Sequence, residues 1–184
     1  MNETTITQKK FSTQTLVIMA MFAAVICVSA YISIPLPNGS HITFLNFITT
    51  LVSLLFPGEQ AVLIILVWLL LGAVGVPVFI GGNAGIGYLF GPLGGYSFAF
   101  LLVAILVPLL RGKKYSRLRY TITALLSVVL VDFVGTVWMM ILAHMTWKAA
   151  FIAGFLPFIP LDIVKAVISA QLIPAFRHVV HTPE

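Results

Sequence analysis

The sequence has few charged residues: only 8% of its 184 residues are Asp, Glu, Lys or Arg, whereas 60% are apolar. A water-soluble domain of this size carries roughly 25% charged residues. So few charges cannot cover a soluble surface, and a mean hydropathy of +1.12 indicates an exterior that faces lipid. The sequence therefore predicts one integral membrane domain over residues 1–184, with no room for a second, soluble domain.

Cysteine is nearly absent as well, because Cys27 is the only one, which excludes an intramolecular disulfide. The stretch Gly81-Gly82-Asn83-Ala84-Gly85 lacks the Gly-Lys-Ser/Thr ending of a nucleotide-binding loop. His and Cys residues at metal-ligand spacing are missing too. We therefore expect no cofactor and no catalytic chemistry.

Long apolar runs divide the chain into segments that approach the roughly 20 residues needed to cross a bilayer. They predict an all-α protein with about six transmembrane helices, at 13–34, 43–56, 60–75, 92–110, 120–143 and 149–176. Pro157 and Pro160 lie within the last run, so we expect that helix to be broken or kinked there.

The basic residues behind the net charge of +5 lie mostly at the ends of these apolar runs, and this distribution argues against a nucleic-acid partner. With six spans, eight of the ten basic residues fall on the side of the termini: Lys9, Lys10, Arg111, Lys113, Lys114, Arg117, Arg119 and Arg177. Because Lys and Arg are retained on the cytoplasmic side, we expect both termini of this multi-pass protein to be cytoplasmic.

Three ionisable residues lie at membrane depth, where a charge costs roughly 2.5–3.5 kcal/mol on insertion scales. Asp162 and Lys165 are three residues apart, hence on one helix face, and we expect both to point at a shared polar cavity. The alternative is a purely structural ion pair. Asp132 has no partner nearby in the sequence, so a contact between helices, a contact with a partner subunit and a ligand role all stay open.

The segment 75–96 is unusual because it holds eight of the fourteen glycines and yet stays largely apolar. An irregular backbone at this depth is tolerated when it is buried in protein or lines a cavity. Asn83 adds one acceptor and two donors, which suit a neutral urea or amide group. The alternative is a simple extracellular turn.

The first span carries Ala20 and Ala24, four residues apart. Small residues at this spacing let another helix approach closely. Chance occurrence in an alanine-rich run is the alternative.

Two stretches of the sequence resemble the motifs of one family. Gly75-Val76-Pro77-Val78-Phe79 through Gly81-Gly82 and then Gly91-Pro92-Leu93-Gly94-Gly95-Tyr96 form the first, and Pro157 to Ala166, which contains Asp162 and Lys165, forms the second. Together they resemble the BioY family, the biotin-binding S components of energy-coupling-factor (ECF) vitamin transporters. The resemblance implies six helices in the bacterial cytoplasmic membrane and biotin bound near the outer surface. It also implies a transmembrane coupling subunit and two cytoplasmic ATPase subunits as partners, although some members are thought to act without them.

The resemblance also implies roles for individual residues. Asn83, Asp162 and Lys165 would line the biotin site, with Asp162 and Asn83 at the ureido ring. Further ligand contacts are expected at Tyr88, Asn46 and Gly82, and Ala20 and Ala24 would face the coupling subunit.

Three positions depart from the family's pattern. Leu45 replaces a usual glutamine, beside which Asn46 could take over a polar contact; Leu93 replaces a common threonine and Leu161 a common glycine. The departures leave open an S component for another small vitamin, lipoate-like or thiamine-like. An intramembrane aspartyl enzyme using Asp132 and Asp162 is a remote alternative, because the Gly-x-Gly-Asp landmark of such enzymes is missing around both.

Overall fold

The structure is a computed structural model that describes residues 11–36, 41–177 and 180. Its helices are α1 (Thr13–Ser29), α2 (Leu45–Leu55), α3 (Gly58–Ala73), α4 (Ile86–Leu89), α5 (Gly94–Arg111), α6 (Arg117–Leu142), α7 (Trp147–Gly154) and α8 (Ile159–Phe176). The predicted all-α class is confirmed. Lys9 and Lys10, two of the basic residues used above for orientation, lie outside the described residues.

Helix α2 lies at the centre of the bundle, since all eleven of its residues are buried. It packs against α1, α3, α5, α6 and α8. Four of its buried side chains are polar: Asn46, Thr49, Thr50 and Ser53. Thr49 and Ser53 donate to backbone carbonyl oxygens within the helix, which removes much of the cost of burying a hydroxyl.

The outside of the bundle is apolar, as expected for a surface that faces lipid. Large apolar side chains such as Leu109 and Leu118 are more than 70% exposed. Three helices, α5, α6 and α8, are long and apolar enough to cross a membrane by themselves, whereas α1, α2 and α3 are apolar but shorter. Helix α2, with 11 residues, extends only about 16 Å at 1.5 Å per residue. Burial on all sides explains how so short a helix persists.

The first predicted span is too long at its C-terminal end. Helix α1 ends at Ser29 instead of 34, because β1 (Ser33–Pro35) turns back to pair with β2 (His41–Thr43) in an antiparallel hairpin. A short apolar run does not by itself distinguish a helix from a strand, so the sequence pattern missed this hairpin.

The last predicted span is two helices, as the prolines indicated. Helix α7 ends at Gly154, and α8 begins at Ile159 with Pro160 in its first turn. Proline is tolerated there because its missing N–H would have no partner in the helix. The break lets the chain enter α8 from a new direction.

The bundle has two distinct ends. The hairpin end holds β1, β2, the segment 74–93 and the starts of α2, α5 and α8. The Arg111 end is opposite, and holds the turn between α2 and α3 and the turn between α5 and α6. Within the hairpin end, residues 80–82 form one turn of 3₁₀ helix that contacts both strands.

Candidate ligand-binding site

Asp162 and Lys165 form an ion pair at the start of α8. The Lys165 ammonium lies 2.6 Å from Asp162 Oδ1 and also donates to the carbonyl oxygen of Thr43, at 2.8 Å. Both side chains are mostly buried, with exposures of 18% and 6%. The expected placement on one helix face is confirmed, and the pair ties α8 to the hairpin.

Asn46, at the start of α2, completes this polar cluster. Its side-chain amide Nδ2 donates to Asp162 Oδ2 at 2.7 Å. Both oxygens of Asp162 are therefore bonded, one to an ammonium and the other to an amide. Asn46 Oδ1 is buried and has no hydrogen-bond partner among the described residues. The cluster thus retains an acceptor that a bound molecule can use.

A cavity of about 430 Å³, part of it open to the outside, lies beside the cluster. Side chains from the hairpin, α2, the glycine-rich segment, α5, α6 and α8 line it: His41, Thr43, Asn46, Ile80, Leu93, Tyr96, Phe100, Val131, Asp132, Phe158 and Asp162. Most of the wall is apolar, and the polar groups are few, so the cavity suits a small amphipathic ligand.

Asp132 lines the same cavity from α6. It is only 2% exposed, and its Oδ2 has no hydrogen-bond partner among the described residues. The structure therefore places Asp132 with Asp162 at one cavity, although they are thirty residues apart in the sequence. The signal was present in the sequence, because an acid within an apolar span is rare unless it faces a polar interior.

Tyr96 lines the cavity, and glycines on neighbouring helices allow its ring to pack closely there. Gly135 on α6 lies against its ring so closely that a β-carbon there would overlap the ring atoms. The Tyr96 hydroxyl donates to the carbonyl oxygen of Gly154 at 2.6 Å, which joins α5 to the end of α7. Gly95, beside it in the sequence, packs against Trp138. The Gly-Gly-Tyr sequence therefore allows α5 to approach α6 closely and fixes one aromatic wall.

Asn83 is not among the residues that line the cavity. Its Nδ2 donates to the carbonyl oxygen of Ile80 at 2.7 Å, and Ile80 does line the cavity. The side chain is exposed and stabilises the turn 79–83, in which the Phe79 N–H donates to the Asn83 carbonyl oxygen. Asn83 therefore lies one contact away from the cavity wall.

Gly82 and Tyr88 also lie behind the wall. Gly82 has a positive φ of 76° and faces the ring of Tyr31. Tyr88 stacks on Phe79, with ring centroids 5.0 Å apart, and Phe79 packs edge-on against Trp68. Lys165 is one contact away too, since it bonds two residues of the lining, Thr43 and Asp162. Of the six expected ligand contacts, Asn46 and Asp162 line the cavity directly.

His41 is part of the lining. A β-carbon on Gly81 would lie 2.8 Å from the His41 ring, so the glycine lets the 3₁₀ turn pack directly on the hairpin. His41 Nδ1 is 3.3 Å from the hydroxyl of Ser33. No group of three or more metal-ligating side chains occurs within residues 11–36, 41–177 and 180.

Ala20 and Ala24 are both exposed on the outer face of α1. Ala24 lines a second, shallow and almost entirely apolar depression, formed with residues of α1, α2 and the hairpin region. Ala23, one position earlier, is buried against the bundle. The small-residue stripe therefore points away from the other helices of this chain.

Comparison with known proteins is consistent across sequence and structure. The model of the BioY family matches residues 3–182. Biotin transporter BioY2 of Lactococcus lactis subsp. cremoris is 34% identical over 168 residues, which cover 89% of this chain and 92% of that protein. The probable biotin transporter BioY of Pyrococcus horikoshii is 38% identical over 152 residues, 81% of this chain and 87% of that protein.

Two solved structures resemble the fold. The S-component for biotin from an ECF-type ABC transporter superposes with a TM-score of 0.82 and 26% identity, over 92% of this chain and 95% of that one. FolT bound with folic acid superposes with a TM-score of 0.54 and 18% identity, over 95% and 96%. At that identity, the second likeness shows a shared fold alone.

Proposed function

This chain belongs to the BioY family, and we propose that it binds biotin as the substrate-binding S component of an ECF-type transporter. The observation that carries the proposal is the cavity at the hairpin end, where an Asp, a Lys and an Asn from two helices meet beneath apolar walls. Like the rest of its family, the chain is a transport protein and not an enzyme.

Biotin offers three kinds of group, a cyclic urea, an apolar bicyclic ring and a carboxylate on a flexible chain. We propose that Asp162 and Asn46 bind the urea, since both line the cavity and carry hydrogen-bonding groups. The ammonium of Lys165 suits the carboxylate, because charge-assisted hydrogen bonds are about twice as strong as neutral ones. Asn83 would contact the urea if the turn 79–83 bends inward on binding. The same movement would bring the other two predicted contacts, Gly82 and Tyr88, towards the ligand.

The departures from the family's pattern bear little on the cavity. Leu45 is fully buried and Leu161 is 46% exposed, and neither lines the cavity, whereas Leu93 does. The alternative of a lipoate-like or thiamine-like ligand rests on Leu45 and Leu161, and both are therefore away from the site. No observation favours that alternative over biotin.

The proposal includes an orientation and partners. The hairpin end would face the outside and the Arg111 end the cytoplasm, with both termini cytoplasmic, because the basic residues of 111–119 lie at the Arg111 end. The exposed face with Ala20 and Ala24 would receive a transmembrane coupling subunit, to which two ATPase subunits attach. Co-purification from the native membrane, analysed for ATPase subunits, tests this assembly.

Calorimetric titration of the purified protein with biotin tests the ligand. We expect tight binding by the wild type and a loss of roughly tenfold or more in Asp162→Asn, because a hydrogen bond to a charged group contributes about 1.5–3 kcal/mol. Competition by a panel of vitamins should leave biotin the strongest ligand. A wild-type protein that prefers another vitamin would overturn the proposal.

A further inference from the structure

We propose that Asp132 is a further ligand-binding residue, which accepts a hydrogen bond from a second N–H of a cyclic urea. This inference rests on the proposed function and deepens it, because it assigns a specificity-determining contact in the same cavity. The ligand class that it specifies has two N–H donors on one small ring, held between carboxyl groups that come from α6 and α8.

The first argument is that each oxygen of Asp162 already accepts a hydrogen bond from this chain. Lys165 occupies Oδ1 and Asn46 occupies Oδ2, at 2.6 and 2.7 Å. A carboxylate neutralised by an ammonium and capped by an amide is stable without a ligand. A ligand N–H at Asp162 would therefore be a second hydrogen bond to an oxygen that already has a partner, whereas Asp132 presents an oxygen with none.

The second argument concerns the surroundings of Asp132. Most of the polar groups that neighbouring helices bring to this part of the cavity already bond elsewhere. Tyr96 on α5 donates its hydroxyl to Gly154, and Lys165 on α8 is held by Asp162 and Thr43. Asn46 on α2 donates one amide hydrogen to Asp162. Phe100, Val131 and Phe158 are apolar neighbours in the lining. Throughout the described part of the chain, no donor lies within hydrogen-bonding distance of Asp132 Oδ2.

The third argument is energetic. A buried acceptor without a donor loses its water and gains nothing in return, at a cost of about 1–3 kcal/mol in protein interiors. A role in holding helices together would supply a partner from a neighbouring helix. Because Asp132 lacks one and lines the cavity, a bound molecule is the source of the missing donor.

The chemistry of a cyclic urea fits this arrangement. Its two N–H groups diverge from one carbonyl, so two acceptors on different walls can bind both at once. Asn46 retains a free acceptor and a second amide hydrogen near the same place. Lipoate-like molecules have no N–H donor and would leave Asp132 Oδ2 unsatisfied, a form of rejection that can reach several orders of magnitude in affinity.

The test measures the affinity of the full-length protein for biotin and for two biotin analogues, each methylated at one ureido nitrogen. The variants are Asp132→Asn and Asp132→Ala, with Thr136→Val as the matched control. Thr136 lies one turn further along α6 and is fully buried, with a hydroxyl that lacks a partner among the described residues, but it does not line the cavity. Thermal unfolding in detergent reports whether each variant is folded.

We expect biotin to bind about tenfold more weakly to Asp132→Asn and about 100-fold more weakly to Asp132→Ala, and normally to Thr136→Val. For one of the two methylated analogues, the wild type and both Asp132 variants should have nearly the same affinity. The methyl group on that analogue replaces the N–H hydrogen from which Asp132 would accept a hydrogen bond. Unchanged biotin affinity in both Asp132 variants would overturn this inference alone. Equal losses for biotin and both analogues would also overturn it, since they indicate a structural role. A wild type that does not bind biotin would overturn the proposed function and this inference with it.

Discussion

Both ends of the bundle bury charge, but they treat it differently. At the hairpin end, Asp132, Asp162 and Lys165 gather around a cavity and leave polar atoms without partners. At the other end, Arg111 is 8% exposed, and its guanidinium donates to the hydroxyl of Tyr120 at 2.7 Å and to the carbonyl oxygen of Phe56 at 2.9 Å. Its Nε has no hydrogen-bond partner among the described residues.

The difference separates a ligand site from a structural clamp. Arg111 joins the end of α2, through Phe56, to α5 and α6, and its partners are neutral oxygens of the same chain. The hairpin end instead brings together two acids and one base from two helices, with acceptors that stay open. Buried charge alone is therefore a poor sign of function, whereas unsatisfied polar atoms that converge on a cavity are a good one.

The sharpest test of this comparison is Lys165→Met. Removal of the ammonium leaves Asp162 buried without a counter-ion, which typically costs about 3–5 kcal/mol. We expect biotin affinity to fall by roughly 100-fold or more and the unfolding midpoint to drop. Titration calorimetry and thermal unfolding measure the two effects.

The double variant Asp162→Leu/Lys165→Met is the control. Replacing a whole buried ion pair by apolar residues is often neutral for stability. The double variant should therefore recover stability and still fail to bind biotin. If binding returned together with stability, the pair would be structural and the hairpin end would resemble the Arg111 end.

Arg111→Met should lower stability and leave biotin affinity nearly unchanged. Loss of two hydrogen bonds from a charged donor leaves the Phe56 carbonyl and the Tyr120 hydroxyl unpaired, at a cost of about 3 kcal/mol of stability. Biotin affinity in the folded fraction should stay within about threefold of the wild type, because Arg111 is distant from the cavity lining. Denaturant unfolding in detergent and biotin titration measure both. A large loss of affinity in well-folded protein would show that the two ends are coupled.

A third test compares glycines at the two ends. In Gly135→Ala the new methyl group would overlap the Tyr96 ring, and overpacking of this kind costs about 2 kcal/mol. Because Tyr96 lines the cavity, biotin affinity should fall as well. Gly58→Ala at the Arg111 end is the matched control, since its β-carbon would meet Pro108 at an ordinary 3.6 Å. Equal behaviour of the two variants in unfolding and titration would argue against a tightly packed cavity wall.

The sequence predicted the features that depend on local spacing. The i, i+3 relation of Asp162 and Lys165 placed them on one face of a helix, and the prolines at 157 and 160 marked the break before α8. Arg111 shows the limit of such reasoning. It was expected in a cytoplasmic loop with the other basic residues, yet it is the last residue of α5 and is buried. Its partner Phe56 is 55 residues away, so no local pattern indicated the clamp.

The remaining parts of the site depend on contacts between distant segments. The bond between Asn46 and Asp162 spans 116 residues, and the cavity exists only because the hairpin, α5, α6 and α8 meet there. Composition identified the glycine-rich segment as irregular, but not which of its side chains would reach the cavity. Ile80 does and Asn83 does not, because the turn 79–83 directs the Asn83 amide back to its own backbone.

Among the variants expected to change both biotin affinity and stability, Asn83→Ala should have the smallest effect. It tests whether the hairpin end already has its ligand-bound shape. As placed here, Asn83 contributes one neutral hydrogen bond to the turn, so its loss should cost about 1 kcal/mol and weaken biotin binding by roughly fivefold. Asn83→Asp is the comparison, since it keeps an acceptor but removes the donor to Ile80. Titration of both beside Asp162→Asn gives the answer. If Asn83→Ala lost as much affinity as Asp162→Asn, the side chain must contact the ligand directly. The turn 79–83 would then close over the cavity on binding, and the open acceptors of the hairpin end would be only part of the complete site.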